Sequence, residues 1–322
     1  MEIVVKTSSE LSQSNWESYV FGFNEVFNKT ETIENFKHKY LNTIDSHSYH
    51  AFLTNNNEIV GGCSVIPYQY NIGVTTERIG LAVDVFIREQ FRTDLLALYR
   101  MYKKLKKVLI SHGIVMVVAV PNDVSYTYWK NIVKWKDVGQ LKYYAFPIKA
   151  GNVLMKATTI ANFFSGLFSK LLLLISYFTN TLEKSLPVSI DRSDNIIEKQ
   201  RYTPNHKIIK DSKSFFAYRV VNEEGINASY LIDFYNVTNQ KKDSKTLRKA
   251  LKHILNNEQT DIIIFVGKLN FFQFLLFKVP YKYEPKHLNF TADILIPEKI
   301  SNTDFIYDIS NWDFGLFNYD VR

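Results

Sequence analysis

At 322 residues, with 46% apolar and 22% charged side chains, the chain is long enough for two domains and is no disordered or fibrous protein. Its net charge of +7 is spread thinly and comes without a nucleic-acid-binding motif, so it speaks for an anionic small substrate or an acidic membrane surface as much as for solubility. The single cysteine, Cys63, excludes an internal disulfide and a cysteine-based metal cluster, and the opening MEIVVKTSSELSQ lacks a basic start followed by an apolar run; both predict a cytoplasmic protein.

Residues 14–40 carry helical spacing, with Trp16, Val20, Phe23, Val26 and Phe27 on one side and Thr32 placed to cap a second short helix holding Phe36 and Tyr40. A hairpin follows: Tyr49–Thr54, a turn at Asn55-Asn56-Asn57-Glu58, and a return over Ile59–Ile66. Past a loop holding Pro67, a further strand is expected over Thr76–Ile87. The stretch 93–111 predicts a helix whose apolar face is Leu95, Leu98, Met101, Tyr102, Leu105 and Leu109, ended by His112-Gly113. Ile114–Val120 is a continuous apolar run, as in a strand covered on both faces. Ser125–Val133 reads as helix and Lys136–Pro147 as returning strand.

Residues 160–178 are strongly apolar but hold Ser165, Ser169, Lys170 and Ser176, so they fall short of the roughly 20 apolar residues a membrane span needs. The preferred reading is a helix buried between two domains; peripheral contact with a membrane is the second. From Phe215 the pattern restarts: strands Phe215–Val221 and Ile226–Phe234, a helix Lys245–Leu255, a strand Asp261–Val266, a helix Asn270–Phe277 and a strand Phe290–Ile296. Tyr230-Leu-Ile-Asp-Phe234 echoes Leu81-Ala-Val-Asp-Val-Phe86, which suggests a diverged internal duplication. The predicted fold class is α/β, a mixed sheet in tandem domains, divided as 1–150, an apolar helical linker 151–186, and 187–322.

Five stretches resemble the GCN5-related (GNAT) acyltransferase superfamily in its two-domain bacterial form, which is associated with surface-polysaccharide biosynthesis. Ile59-Val-Gly-Gly62 is similar to the family's second hairpin strand, and Asp84-Val-Phe-Ile-Arg-Glu-Gln-Phe-Arg92 to the strand leading into the pyrophosphate loop. Val120-Pro-Asn122 through Ser125-Tyr126 resembles the next strand and its helix start. Lys134–Gly139 stands where members often carry a Gly-Phe turn, and Asn311–Gly315 to Asp320-Val321 is similar to a closing strand.

The resemblance implies an acyl-CoA, such as acetyl-CoA, as donor substrate and an amine acceptor, with no metal and no nucleic acid. Val85, Phe86 and Ile87 would then pair by backbone with the pantetheine arm, and the N–H groups from Phe91 to Leu96, including Arg92, Thr93, Asp94 and Leu95, would hold the diphosphate. That loop departs from the family pattern: Arg92-Thr-Asp-Leu-Leu-Ala97 has no glycine, and Asp94 brings negative charge that would otherwise cap the helix. The family's general-acid tyrosine, seven residues beyond Asn122, is here Trp129, so the neighbouring Tyr126 is the expected acid and Asp84 the expected base or acceptor anchor. His47 and His50, three apart on a strand, point to opposite faces and predict no metal site.

Overall fold

The computed structural model describes residues 1–154, 158–193, 195–300 and 302–319, which leaves the Asp320-Val321 part of the expected closing strand outside the described residues. In chain order the elements are β1 (Glu2–Thr7), α1 (Gln13–Phe27), α2 (Ile33–Leu41), β2 (Tyr49–Asn55), β3 (Glu58–Ile72), β4 (Thr75–Ile87), α3 (Ala97–Ser111), β5 (Ile114–Ala119) and α4 (Asp123–Tyr128). Then come β6 (Lys136–Pro147), α5 (Ala150–Leu154), α6 (Thr158–Ile175), β7 (Val188–Ile190), α7 (Asn195–Arg201), β8 (Lys207–Lys210), β9 (Ser214–Glu223) and β10 (Ile226–Asn236). The last are α8 (Ser244–Asn257), β11 (Ile262–Gly267), β12 (Phe277–Lys278), β13 (Leu288–Ile294), β14 (Trp312–Asp313) and α9 (Leu316–Tyr319). They form two compact units: Met1–Gly139 with Pro187–Arg201 and Leu288–Asn311, and Gln140–Leu186 with Tyr202–His287 and Trp312–Arg322.

In the first unit the sheet order is β1-β2-β3-β4-β5-β13, antiparallel throughout except for the parallel pair β4/β5. One face is covered by α3, whose Ala97, Met101, Tyr102, Leu105 and Leu109 are buried in a single core with Val60, Val65, Val117 and Trp129. On the other, Trp16 and Tyr19 of α1 and Tyr40 of α2 gather as an aromatic layer, with Trp16–Tyr40 and Tyr19–Tyr40 centroids 6.4 and 5.9 Å apart. Thr32 caps α2 by accepting from Asn35 N–H, as its position in the sequence predicts.

In the second unit β6-β11-β10-β9-β8 form a mixed sheet, with β10 and β11 parallel and the other pairs antiparallel. Leu247, Ala250, Leu251 and Ile254 of α8 are buried against it with Phe216, Phe234 and Phe265. The order β9, β10, α8, β11 repeats the pairing of β3, β4, α3, β5: an antiparallel hairpin, a helix, then a strand parallel to the second arm.

Five expectations are corrected. The N-terminus carries an unforeseen strand, β1, paired with β2 from Glu2↔Thr54 to Thr7↔Tyr49. Pro67 lies within β3 rather than in a loop, opposite Gly80. It sits where β2 has stopped pairing at Val65 and β7 has not begun, at Tyr70, so its missing N–H is not needed. α3 starts at Ala97 rather than at residue 93, because Asp94 forms the preceding turn, its carbonyl accepting from Ala97 N–H and its carboxylate from Leu96 N–H. Leu95, assigned to the buried face, is accordingly 78% exposed.

No helix forms over Asn270–Phe277: Gln273 exchanges side-chain hydrogen bonds with the backbone N–H and C=O of Leu276, displacing the helical ladder. Finally, α6 is not buried. Only 17% of this apolar stretch lies inside the fold: Leu173 enters the core and Ser169 is buried beside it, while most of the other apolar side chains are exposed.

Candidate active site

β4 and β5 share a ladder only from Arg78/Ile114 to Leu81/Val118. Beyond it β4 continues to Ile87, while β5 ends at Ala119, its other edge paired with β13 from Met116 to Ala119. The two strands thus stop pairing just before Asp84. A bulge accompanies the parting: the register with β3 slips between Ser64/Val83 and Gly62/Phe86, and Asp84 sits at φ 49°. Packing pins it. The Phe86 ring is buried and stacks on Tyr19 at 5.9 Å, and a Cβ on either Gly22 or Gly62 would come within 2.9 Å of that ring. Arg88 N–H donates to Val60 O on β3, so Ile87 turns its carbonyl to the open side, where Arg92 Nε donates to it at 2.7 Å.

Asp84 faces α2. Its Oδ2 accepts from Lys39 Nζ at 2.7 Å and from the Tyr40 hydroxyl, while Oδ1 receives no hydrogen bond among the described residues. From Tyr40 a buried polar chain runs inward: Tyr40 OH to Tyr19 OH at 2.9 Å, Tyr19 OH to Ser64 Oγ at 2.6 Å, and Ser64 Oγ to His50 Nδ1 at 2.8 Å. His50 Nε2 then meets Ser8 Oγ at 2.8 Å. A carboxylate only accepts, so its demand orders the whole chain: Tyr40 donates to Asp84, Tyr19 to Tyr40, Ser64 to Tyr19, and His50 Nδ1–H to Ser64, leaving Nε2 to accept from Ser8.

Burial, then the charge of Asp84, holds both phenols well above their ordinary pKa, so they stay protonated. Burial, then the neighbouring His47 and Lys39, pulls His50 down to about 3, so it stays neutral. The unfolded imidazole titrates near 6.5, so His50 contributes stability that is complete above that pH and lost as pH falls from there toward 3. The expected result is a melting temperature that declines below about pH 6.5, with a shallower decline in His50→Gln; equal slopes in the two proteins would refute it. Cys63, buried opposite the bulge, has its thiol raised to about 12 by burial and is a core residue.

At the start of α3 most donors are already engaged. Phe91 N–H goes to Arg88 O, Arg92 N–H to Glu89 O, Leu96 N–H to Asp94 Oδ1, and Tyr99 N–H to the Tyr128 hydroxyl at 3.2 Å. Tyr128 in turn donates to Leu95 O at 2.6 Å, and Asp94 is paired with Arg100. Beside this terminus lies a cleft of about 850 Å³ whose cationic lining is Arg100, Lys103, Lys104 and Lys107, opposed by Glu2 and Asp94. Asn122 caps α4, accepting from Ser125 N–H at 2.8 Å, and so fixes the helix that carries Tyr126. The Tyr126 phenol donates to Asp137 at 2.8 Å and accepts from Lys130 at 3.1 Å. Trp129 is buried between Tyr102 and Trp135, at 5.5 and 4.5 Å, as core.

The structure thus brings Asp84, Val85, Phe86 and Ile87 to one bulge and Arg92 to Leu96 to one turn. Sequence reasoning missed Lys39, Tyr40, Tyr19, Ser64, His50 and Ser8 as partners of Asp84. One signal was available: a tyrosine on the buried face of a helix needs a hydrogen-bond partner inside the fold.

No family model matches the sequence, and no curated protein does. Solved structures do. A protein of Enterococcus faecalis V583 described as a probable N-acyltransferase aligns at a TM-score of 0.59 and 11% identity, over 93% of this chain and 74% of that one. A GCN5-related N-acetyltransferase from Anabaena variabilis ATCC 29413 aligns at 0.56 and 14%, over 91% and 73%. This chain has the GCN5-related N-acetyltransferase fold. Eis1 from Mycobacterium abscessus shares it at 0.54 and 9% identity, over 93% of this chain and 75% of that one. At such identities the likeness is one of GCN5-related architecture, with residues replaced nearly throughout.

Proposed function

We propose that the chain is an N-acyltransferase that moves an acyl group from acetyl-CoA or another acyl-CoA to an amine. The observation that carries this reading is the loss of pairing between β4 and β5 after Leu81/Val118, with the Asp84 bulge beside it. A thin thioester arm can lie along Val85, Phe86 and Ile87 there. Arg92, Thr93, Asp94, Leu95 and Leu96 would then flank the diphosphate. The lysines of the α3 cleft supply the positive charge that Asp94 works against.

In the reaction the amine nitrogen attacks the thioester carbonyl carbon and the carbon–sulfur bond breaks. Asp84 Oδ1 takes the proton lost by the amine, and Tyr126 gives its phenolic proton to the departing thiolate. The Val85 or Phe86 N–H stabilises the transient oxyanion. Asn122 acts by holding α4. In the resemblance read from the sequence, the acceptor is the amine of a nucleotide-linked amino sugar, used in the cytoplasm for surface polysaccharide. The sequence expectation is that residues 187–322 are a diverged second copy of the 1–150 domain, joined by 151–186. The repeated pairing of β9, β10, α8 and β11 supports such a copy within Tyr202–His287, while Pro187–Arg201 and Leu288–Asn311 belong to the first unit. Two observations favour alternatives. The engaged donors at α3 favour a binding protein without turnover, and the outward apolar residues of α6 favour a lipid-linked acceptor.

Calorimetric titration and thermal shift with acetyl-CoA and free coenzyme A test the reading. Saturable binding is expected, with stabilisation of about 2.7 kcal/mol at a hundredfold excess over Kd, followed by thiol release on adding an amine acceptor. A flat titration with both ligands would sink the donor assignment, and binding without thiol release would select the inactive alternative.

A further inference from the structure

α6 is amphipathic with its faces reversed. Asn162, Ser165 and Ser169 point into the second unit together with the buried Leu173. Asn162 exchanges hydrogen bonds with Asn152 at 2.7 and 3.2 Å, Ser165 donates to Ile148 O at 2.8 Å, and Ser169 donates to Pro147 O. Phe163, Phe164, Leu167, Leu171, Leu174 and Phe178 line the opposite side at helical spacing, exposed by 68, 62, 57, 50, 64 and 91%. A surface helix of a water-soluble protein buries the stripe that α6 presents. Aromatics extend it: Phe168 stacks on Phe277 of β12 at 6.0 Å, and Phe277 is itself 41% exposed.

The rim of this surface is cationic. Lys170 stands exposed on α6 itself, whereas Lys142 and Lys149 of the neighbouring β6 region are paired with Glu284 and Asp261. Arg248 and Lys252 of α8 lie over the Tyr177 ring at 4.4 and 6.0 Å, and Lys278 follows Phe277 in β12. A second copy docked on the stripe would set like charges against each other. Anionic phospholipid headgroups complement it, with the apolar stripe entering the acyl boundary. A span is disfavoured, because one side of α6 is bonded to its own unit and so cannot be surrounded by lipid, while Lys170 is exposed and free to reach the headgroups.

We propose that α6 is an in-plane docking helix that holds the protein on the surface of an anionic phospholipid bilayer. The inference does not depend on acyl transfer, and its test reads no thioester chemistry. Full-length protein is sedimented with phosphatidylcholine vesicles with and without phosphatidylglycerol. Binding is expected only to the anionic vesicles and to weaken with added salt. Lys170→Ala should lower the partition coefficient about fivefold, and Phe163→Ser/Phe164→Ser about a hundredfold. Both variants change exposed side chains, and unchanged circular dichroism and melting temperature would verify their folding. Equal binding to neutral vesicles, retained binding in the double variant, or a dimer in light scattering that the double variant abolishes would each overturn the proposal.

Discussion

Asp84→Asn is expected to lower turnover by about a hundredfold to ten-thousandfold while leaving acetyl-CoA affinity unchanged. The asparagine keeps the size of the side chain, and its carbonyl oxygen still accepts from Tyr40, so the bulge and the chain behind it persist. The substitution removes the negative charge that Lys39 now faces at 2.7 Å and the oxygen available to take the amine proton. Because the donor is held through backbone in this reading, the loss belongs in kcat rather than in donor Kd. Steady-state rates beside calorimetric titration separate the two. Full activity in the variant would remove Asp84 from the mechanism, and a matched loss of donor affinity would recast it as a structural residue of the bulge.

The largest expected loss of stability is in the second unit, at Lys242→Met. Lys242 is buried with its ammonium on Asp313, and Glu183, 4% exposed, lies close enough to interact with it. Burial acts to lower the pKa of Lys242, but Asp313, Glu183 and Asp233 outweigh it and the net shift is upward. Burial raises that of Glu183 against the pull of Lys242. Removing the cation strands the carboxylates away from water, which costs about 3–5 kcal/mol. Chemical denaturation of the wild type and variant measures it, and Lys242→Met/Asp313→Leu should recover part of the loss. A change within the scatter of surface substitutions would show that the cluster is hydrated.

The stretch from Asp84 to Val133 was legible because each of its signals is local. Met101, Tyr102, Leu105 and Leu109 repeat with the helical period, and Ile114–Ala119 is apolar on both faces. Asn122 stands one residue before its helix as a cap. What the sequence hid depends on distant partners. Nothing around Leu288–Ile294 says that it pairs with β5, and nothing around Glu2–Thr7 names β2. The reversed orientation of α6 was illegible for a different reason. Periodicity shows that a helix has two faces, yet the one that meets the protein carries Ser165 and Ser169 on the carbonyls of Ile148 and Pro147 beside Leu173, partners that lie outside the helix's own sequence. The site was half legible. Asp84 stood out by its place in the strand, but its Lys39 and Tyr40 partners lie on a helix 44 residues or more upstream.

The Tyr128 hydroxyl joins two parts of the proposed site. It occupies the Tyr99 N–H at the head of α3 and sits on the same short helix as Tyr126. In the proposed reaction a diphosphate at that head would compete with the Tyr128 hydroxyl for this amide, so donor binding and the setting of α4 would be linked through one hydrogen bond.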